Sequence, residues 1–472
     1  MLEKRDRAER LINAVMNRRL IPPLPLYLLA LLQSIDADKS GEFKESALGY
    51  YYQYLLTEAF QRSGVKSEKL TEVFQYCVHL AWYFHEKGTK ELPESEIQEF
   101  NARFSKAWHT VDFKTRLDLL LKARVLRRVG PDLTFRYLYI FYYFKGEYLS
   151  QNLSDLAIRA YISKCCTHLY VRDYANTILF LAHHTNDPFL IDTISDCLKG
   201  LFRQYRPVTL NKDTTIVGTL VEAAPRLTYS GRSPEETRQI QNQIRDELDD
   251  GDDGLTDKEE SSSKLSLVAQ ITMLNKTVQI LGQILKNQYS KIPREEKVEL
   301  INELFRGPLR ALRSFWKFLE EYPEALIADI EAALRRWDKS DDDQVRNKVA
   351  RRVVAAIVEM VTLSMFMTAA ESVNSESLIE DVQAVVARNK TLAVKLIELA
   401  ILLDSGAPIP REKIKRVHRE AKSDLVADRL IKHMVLRRLY MFKTTERDRQ
   451  WLAEEMDFDV ARTRALGYQT TN

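Results

Sequence analysis

The sequence predicts a predominantly all-α protein that carries one small β-hairpin. Glycine and proline are scarce, 15 and 14 among 472 residues, so turns are few and helices can run long. Apolar residues recur at helical spacing through most of the chain. Only one Gly-Pro-Asp cluster, Gly130-Pro131-Asp132, stands between two short strand-like runs. Together these predict a winged-helix-like module with its hairpin, followed by a helical bundle or irregular α-solenoid.

Residues 1–63 form a first helical segment. A charged helix over 4–18 is stopped by Pro22, Pro23 and Pro25, because proline cannot continue a helix interior. Leu26–Gln33 follows as a short apolar helix and Asp36–Gly41 as a loop. Glu45–Gln61 is a helix with Tyr50, Tyr51, Tyr54, Leu55 and Phe60 on its apolar side.

Residues 64–150 make the second module. A helix over 67–87 ends at Gly88, where glycine suits a helix C-terminus. Helices over 94–107, led by Pro93 and Glu94, and 112–124, capped by Asp112, come next. Val125–Val129 and Leu133–Arg136 then flank the turn. Three helices and a hairpin, in that order, are the order of a winged helix. A helix over 137–149 closes the module.

Residues 151–228 read as further short helices. Residues 229–264 change character: SGRSPEETRQ leads into DELDDGDDGLTDKEE and SSSK, an acidic, partly disordered linker. Residues 265–472 return to helices, at Leu267–Gln288, Arg294–Phe305, Pro308–Glu320, Glu324–Trp337, Val345–Glu371 and Leu378–Leu403. No fixed repeat period joins them.

Composition excludes several classes. The net charge of +3 names no partner and argues against nucleic acid. The N-terminal MLEKRDRAERL has no apolar core of a signal peptide. Ile21–Leu32 is broken by prolines and Val353–Met367 by Glu359, so both read as core segments and no membrane span is expected. Cys77, Cys165, Cys166 and Cys197 form no CxxC pair and read as free thiols, which predicts a cytoplasmic protein.

Catalytic motifs are absent from the sequence. There is no GxxxxGK[ST], so the backbone cradle and lysine that hold nucleotide phosphates are missing. No GxSxG or HExxH occurs either. The chain is therefore expected not to be an enzyme.

Metal and phosphate patterns fall short. Asp36-Ala-Asp38-Lys-Ser40-Gly41 begins like an EF-hand loop, but Ala47 stands where the twelfth-position glutamate belongs. In Asp249–Glu260, Gly251 replaces the third ligand. Cys165, His168, His183 and His184 match no standard zinc spacing, so no metal is expected. Arg411–Lys422 is basic, but Glu412 and Glu420 dilute it, and it reads as a solvated helix face rather than a phosphate site.

The most unusual stretch is aromatic. Phe135, Tyr137, Tyr139, Phe141, Tyr142, Tyr143, Phe144 and Tyr148 crowd into fourteen residues. A helix this aromatic on most faces is buried or packed between domains.

Three places in the first 150 residues resemble the region that follows the nucleotide domain in STAND-class signalling NTPases, the NACHT and NB-ARC relatives. Leu24-Pro25-Leu26 with its helix looks like the family's GLPL-type lid motif, with Pro23 in place of the glycine. Residues 67–136 resemble its winged helix. TFRYLYIFYYFKGEYLSQNL is similar to its closing motif, with Tyr137 where many members have a nucleotide-sensing histidine, and Phe141 and Tyr142 in place of a Gln-Glu pair. The resemblance covers about a third of the chain; the helical half, with ILGQILKN at 280–287, is similar to the C-terminal region of bacterial members.

The resemblance implies that Pro25 borders an adenine pocket and that Tyr137 faces it. It implies ATP or ADP as cofactor only when another chain supplies the P-loop domain. The function it implies is that of a regulatory or sensor module without catalysis, working through a protein partner, a P-loop NTPase or an effector, by domain rearrangement. Antiviral defence is a common setting for the family. Two alternatives stay open. A DNA-binding winged-helix regulator would place 112–124 in the major groove with Lys114, Arg116, Lys122 and Arg124, although Leu117, Leu119, Leu120 and Leu121 suit packing better. An all-helical scaffold would have no nucleotide-linked switch.

Overall fold

The computed structural model describes residues 48–458, apart from 212, 230, 232, 238, 241–242, 244–264, 337–341 and 405–406. The expectations for 4–18, Pro22 to Gln33, the loop at Asp36–Gly41 and most of the acidic linker lie outside the described residues. The fold is predominantly helical with one small antiparallel sheet.

Contacts divide the chain into two units. The first runs to Ile194 and takes in Lys286–Gln288; the second comprises Ser195–Leu248, Ser266–Leu285 and the chain from Tyr289 onward. The segment read from sequence as 151–228 is thus shared between them.

In the first unit, α1 (Leu48–Arg62) precedes a short 3-10 turn at Ser67–Lys69 and α2 (Leu70–Glu86). Gly88, at φ +65°, turns the chain after α2. Next come β1 (Leu92–Pro93), α3 (Glu94–Ala107), α4 (Phe113–Lys122), β2 (Leu126–Val129) and β3 (Asp132–Phe135). Asp112 caps α4 as its sequence position suggested, accepting from the Thr115 N–H at 2.8 Å.

The sheet order is β1-β3-β2, all antiparallel. Val129 faces Asp132 across a two-residue turn, and Gly130 has φ +58° while proline fixes a negative φ at the second position. This is the glycine-first chemistry of a type II′ hairpin. The third strand, β1, carries no sequence signal, since two residues cannot show alternation.

The aromatic run becomes α5 (Leu138–Gln151), followed by α6 (Leu156–Thr167) and α7 (Arg172–His184). α5 packs against α2 and α7, and nine of its residues are buried, from Tyr139 through Gly146 and at Leu149. Gly146 lets α7 come close: a Cβ there would sit 2.8 Å from the backbone of Phe180 and Leu181.

In the second unit, the end of α8 (Pro188–Gly200) leads to α9 (Thr215–Val221) and α10 (Leu267–Gln288). α11 runs unbroken over Arg294–Glu321. The sequence suggested two helices here, parted before Pro308. Proline removes one backbone hydrogen bond, but Gly307, Pro308 and Leu309 are all buried, and packing carries the helix through. The opposite correction applies to Leu378–Leu403, which is two helices. α14 (Ile379–Arg388) ends at Asn389, whose backbone is extended, and Thr391 caps α15 (Leu392–Leu403) by accepting from Val394 N–H.

Between these lie α12 (Pro323–Arg335) and α13 (Asp343–Val373); α16 (Arg411–Ala421), α17 (Leu425–Met441) and α18 (Glu446–Glu455) follow α15. α13 is long and apolar enough to cross a membrane by length and composition, yet half of its most apolar window is buried against neighbouring helices. Glu359, which interrupts that window, pairs with Arg429 and His433 of α17.

Candidate functional site

The aromatic helix and the small module before it hold the residues that sequence reasoning singled out. Tyr137 caps α5 in extended conformation and is half-buried against the core of the first unit. Its ring stacks on Tyr139 with centroids 6.1 Å apart. Arg136 lies over that ring at 5.5 Å and donates from Nε to the Tyr137 hydroxyl at 3.2 Å. Pro25 lies outside the described residues.

Deeper along α5 is a feature that the sequence did not flag. Lys145 is fully buried, and its ammonium pairs with Asp173 of α7 at 3.3 Å. Asp173 also accepts from the Tyr142 hydroxyl at 2.7 Å and lies 3.4 Å from Lys90. The Lys145 ammonium stands over the Phe141 and Tyr161 rings at 5.6 and 5.3 Å. Burial pulls the Lys145 ammonium below its usual range, against the opposing pull of Asp173. Burial pushes the Asp173 carboxyl up, but Lys145, the Tyr142 hydroxyl and Lys90 together hold it below its ordinary value. The cluster fastens α5 to α7 by charge as well as by packing. Its one sequence signal is a lysine standing where the aromatic helix must face a core.

Glu147, two residues on, is a second perturbed group. Burial pushes its carboxyl up to about 7, and Oε2 is buried without a hydrogen-bond partner. The Tyr143 ring next to it packs edge-on against His184 at 4.5 Å.

Other sequence candidates resolve into packing. The four cations offered for a major groove do not share a surface. Arg116 is turned inward, salt-bridged to Glu72 at 2.5 Å and stacked over Tyr76, while Lys114, Lys122 and Arg124 are exposed. Leu117 and Leu120 of the same helix are buried. Cys165 is buried, His168 Nδ1 lies 2.9 Å from the Lys164 carbonyl, and among the described residues no group of three His, Cys, Asp or Glu side chains is placed to hold a metal. In the basic stretch at 411–422, Arg411 pairs with Asp448 and Lys413 with Glu398, each at 2.5 Å.

In the second unit an open cleft of about 820 Å³ lies beside the start of α9 and the α16–α17 turn. Thr214, Thr215, Thr219, Ser423, Glu420 and Asp424 line it. Two of its acids are engaged: Glu420 pairs with Lys395, while Asp424 accepts from Thr214 and from the Ala427 N–H that it caps; the third, Glu222, is exposed.

Residues 90–145 match the model of the family described as Novel STAND NTPase 4. The matched stretch, about an eighth of the chain, takes in the three strands, α3, α4 and the first half of α5, and ends at Lys145. It associates this segment with the STAND class. No curated protein and no solved structure matches the chain.

Proposed function

We propose that this chain is a regulatory or sensor module of a STAND-like signalling system that works through protein partners and makes or breaks no covalent bonds itself. One observation carries the reading: the family match falls on the strand, helix, helix, strand, strand run that follows α2, with sheet order β1-β3-β2, so that with α2 the order is helix, strand, helix, helix, strand, strand. That order supports a winged helix, and the match continues into the aromatic helix that follows it. The GxxxxGK[ST] cradle does not occur in this sequence, so in this reading ATP or ADP enters the system on a P-loop domain of a partner. The setting that fits is cytoplasmic signal transduction, antiviral defence included.

The inward turn of Arg116 and the burial of Leu117 and Leu120 count against the DNA-binding alternative, because they spend the recognition helix on packing.

The test is purification of the tagged full chain from its native cells, with mass spectrometry of what accompanies it. The expected companion is a P-loop NTPase whose retention differs between ADP and ATP. Calorimetry of the chain alone with ATP is expected to show no binding. Micromolar ATP binding by the isolated chain, or the absence of any co-purifying NTPase, overturns the reading.

A further inference from the structure

His418 lies on α16 and is 2% exposed. Its two ring nitrogens face two other helices. Nε2 is 3.2 Å from Asp428 Oδ1 on α17, and Nδ1 is 3.0 Å from Glu455 Oε1 on α18. Two ionised carboxylates have no hydrogen to offer, so both contacts are hydrogen bonds only when both nitrogens carry one, and only the imidazolium does.

The two carboxylates are not equivalent. Asp428 has a second cation, Lys432 Nζ, at 2.8 Å. Glu455 has the imidazole as its partner among the described residues. Arg416, Arg419 and Lys422 of α16 are exposed to solvent, and the other charges near the ring are held in pairs. From α15, Glu398 holds Lys413 and Lys395 holds Glu420; on α16, Lys415 lies 3.8 Å from Glu412; from α18, Asp448 holds Arg411.

We propose that His418 is a proton-dependent latch that fastens the last turn of α18 to α16 and α17. With the proton bound, the imidazolium bridges both carboxylates. With the proton lost, the neutral ring keeps a single N–H and turns a lone pair toward the other oxygen. Asp428 stays in place because Lys432 also holds it. Glu455 stands at the end of its helix with a side chain 23% exposed, and it is the group free to leave. Loss of the proton therefore frees the C-terminal turn of α18 and uncovers the apolar surface beneath Met456 and Phe458, both buried here.

The hydrogen bond to Asp428 raises the imidazole's affinity for its proton, burial lowers it and the Glu455 contact raises it again, for a net rise above the ordinary value of 6.5. The sign follows by linkage. The latch is fully present below 6.5 and is lost as pH climbs through the higher folded value.

Hydrogen exchange on the full chain, corrected for the intrinsic pH dependence of amide exchange, reads the latch directly. Protection across 446–458 is expected to fall about tenfold between pH 6 and pH 9, while 392–403 stays protected. Glu455→Gln is the sharper variant, since a neutral amide can pair with the neutral ring. It should remove most of the pH dependence and leave the fold intact. His418→Gln should show low protection of 446–458 at both pH values. Protection of 446–458 that is independent of pH in the wild type, or a pH dependence that survives in Glu455→Gln, overturns the proposal.

Discussion

Around α5, the first unit fills its core with Tyr139, Phe141, Tyr142, Tyr143 and Phe144, whose rings meet Phe74, Phe135 and Phe180. Around α13 and α15, the second unit buries Val354, Ala355, Val358, Leu396, Ile397 and Leu399, and its helices are joined by ion pairs such as Glu359–Arg429 and Lys297–Asp381. Large rings fix position through few, directional contacts, and each one is costly to remove. Aliphatic helices spread the same burial over many small contacts, and their register is then set by charges placed between them. The two units differ in what dominates: rings in the first, where Lys145–Asp173 adds one buried pair, and ion pairs between aliphatic helices in the second.

The largest effect should come from the ring. Phe144, fully buried and edge-on to Phe74, becomes a cavity in Phe144→Ala. A loss of about 3–5 kcal/mol is expected by urea unfolding, with hydrogen exchange rising in the first unit and not in the second. An equal rise in both units would break the comparison.

A buried charge is the corresponding weak point of the second unit. The Arg310 guanidinium pairs with Glu303 at 2.7 Å and donates to the Leu198 and Leu201 carbonyls at 2.8 and 3.1 Å. Arg310→Met strands Glu303 and two carbonyls, at about 3 kcal/mol, measurable in the same urea experiment. The double substitution Arg310→Met with Glu303→Leu should recover part of that loss. If it recovers none, the loss comes from the two stranded carbonyls and not from the unpaired Glu303.

The smallest effect should be a gain. The Glu147 carboxyl, pushed up to about 7, has a folded pKa above its unfolded value of 4.5. Its contribution is whole below 4.5 and declines as pH rises through 7, where the buried group must ionise. Glu147→Gln should therefore be neutral near pH 4 and stabilising by roughly 1–2 kcal/mol at pH 8, read from thermal unfolding across pH. A difference that does not change with pH would place Glu147 in water rather than in the aromatic core.

Much of the fold was legible along the chain. Leu267–Gln288 and 94–107 form helices where apolar spacing and caps placed them, and the Gly130-Pro131 turn closes the hairpin as its residue types require. These are local outcomes, decided by periodicity, capping and positive φ. The aromatic density of 135–148 was likewise visible and marks the helix on which the first unit packs.

What the chain could not show depends on neighbours distant in sequence. Pro308 should end a helix on local grounds, and burial on both sides of Gly307 carries α11 through it. Leu378–Leu403 should continue on periodicity, and the Thr391 cap divides it. Lys145 finds Asp173 28 residues on, and His418 finds Glu455 37 residues on. The sequence by itself determined, among the described residues, that most of the chain is helical and where its one hairpin turns. Tertiary structure alone decided which buried charges meet, because a side chain's charge is written at one position while the group that makes its burial tolerable is supplied by another helix.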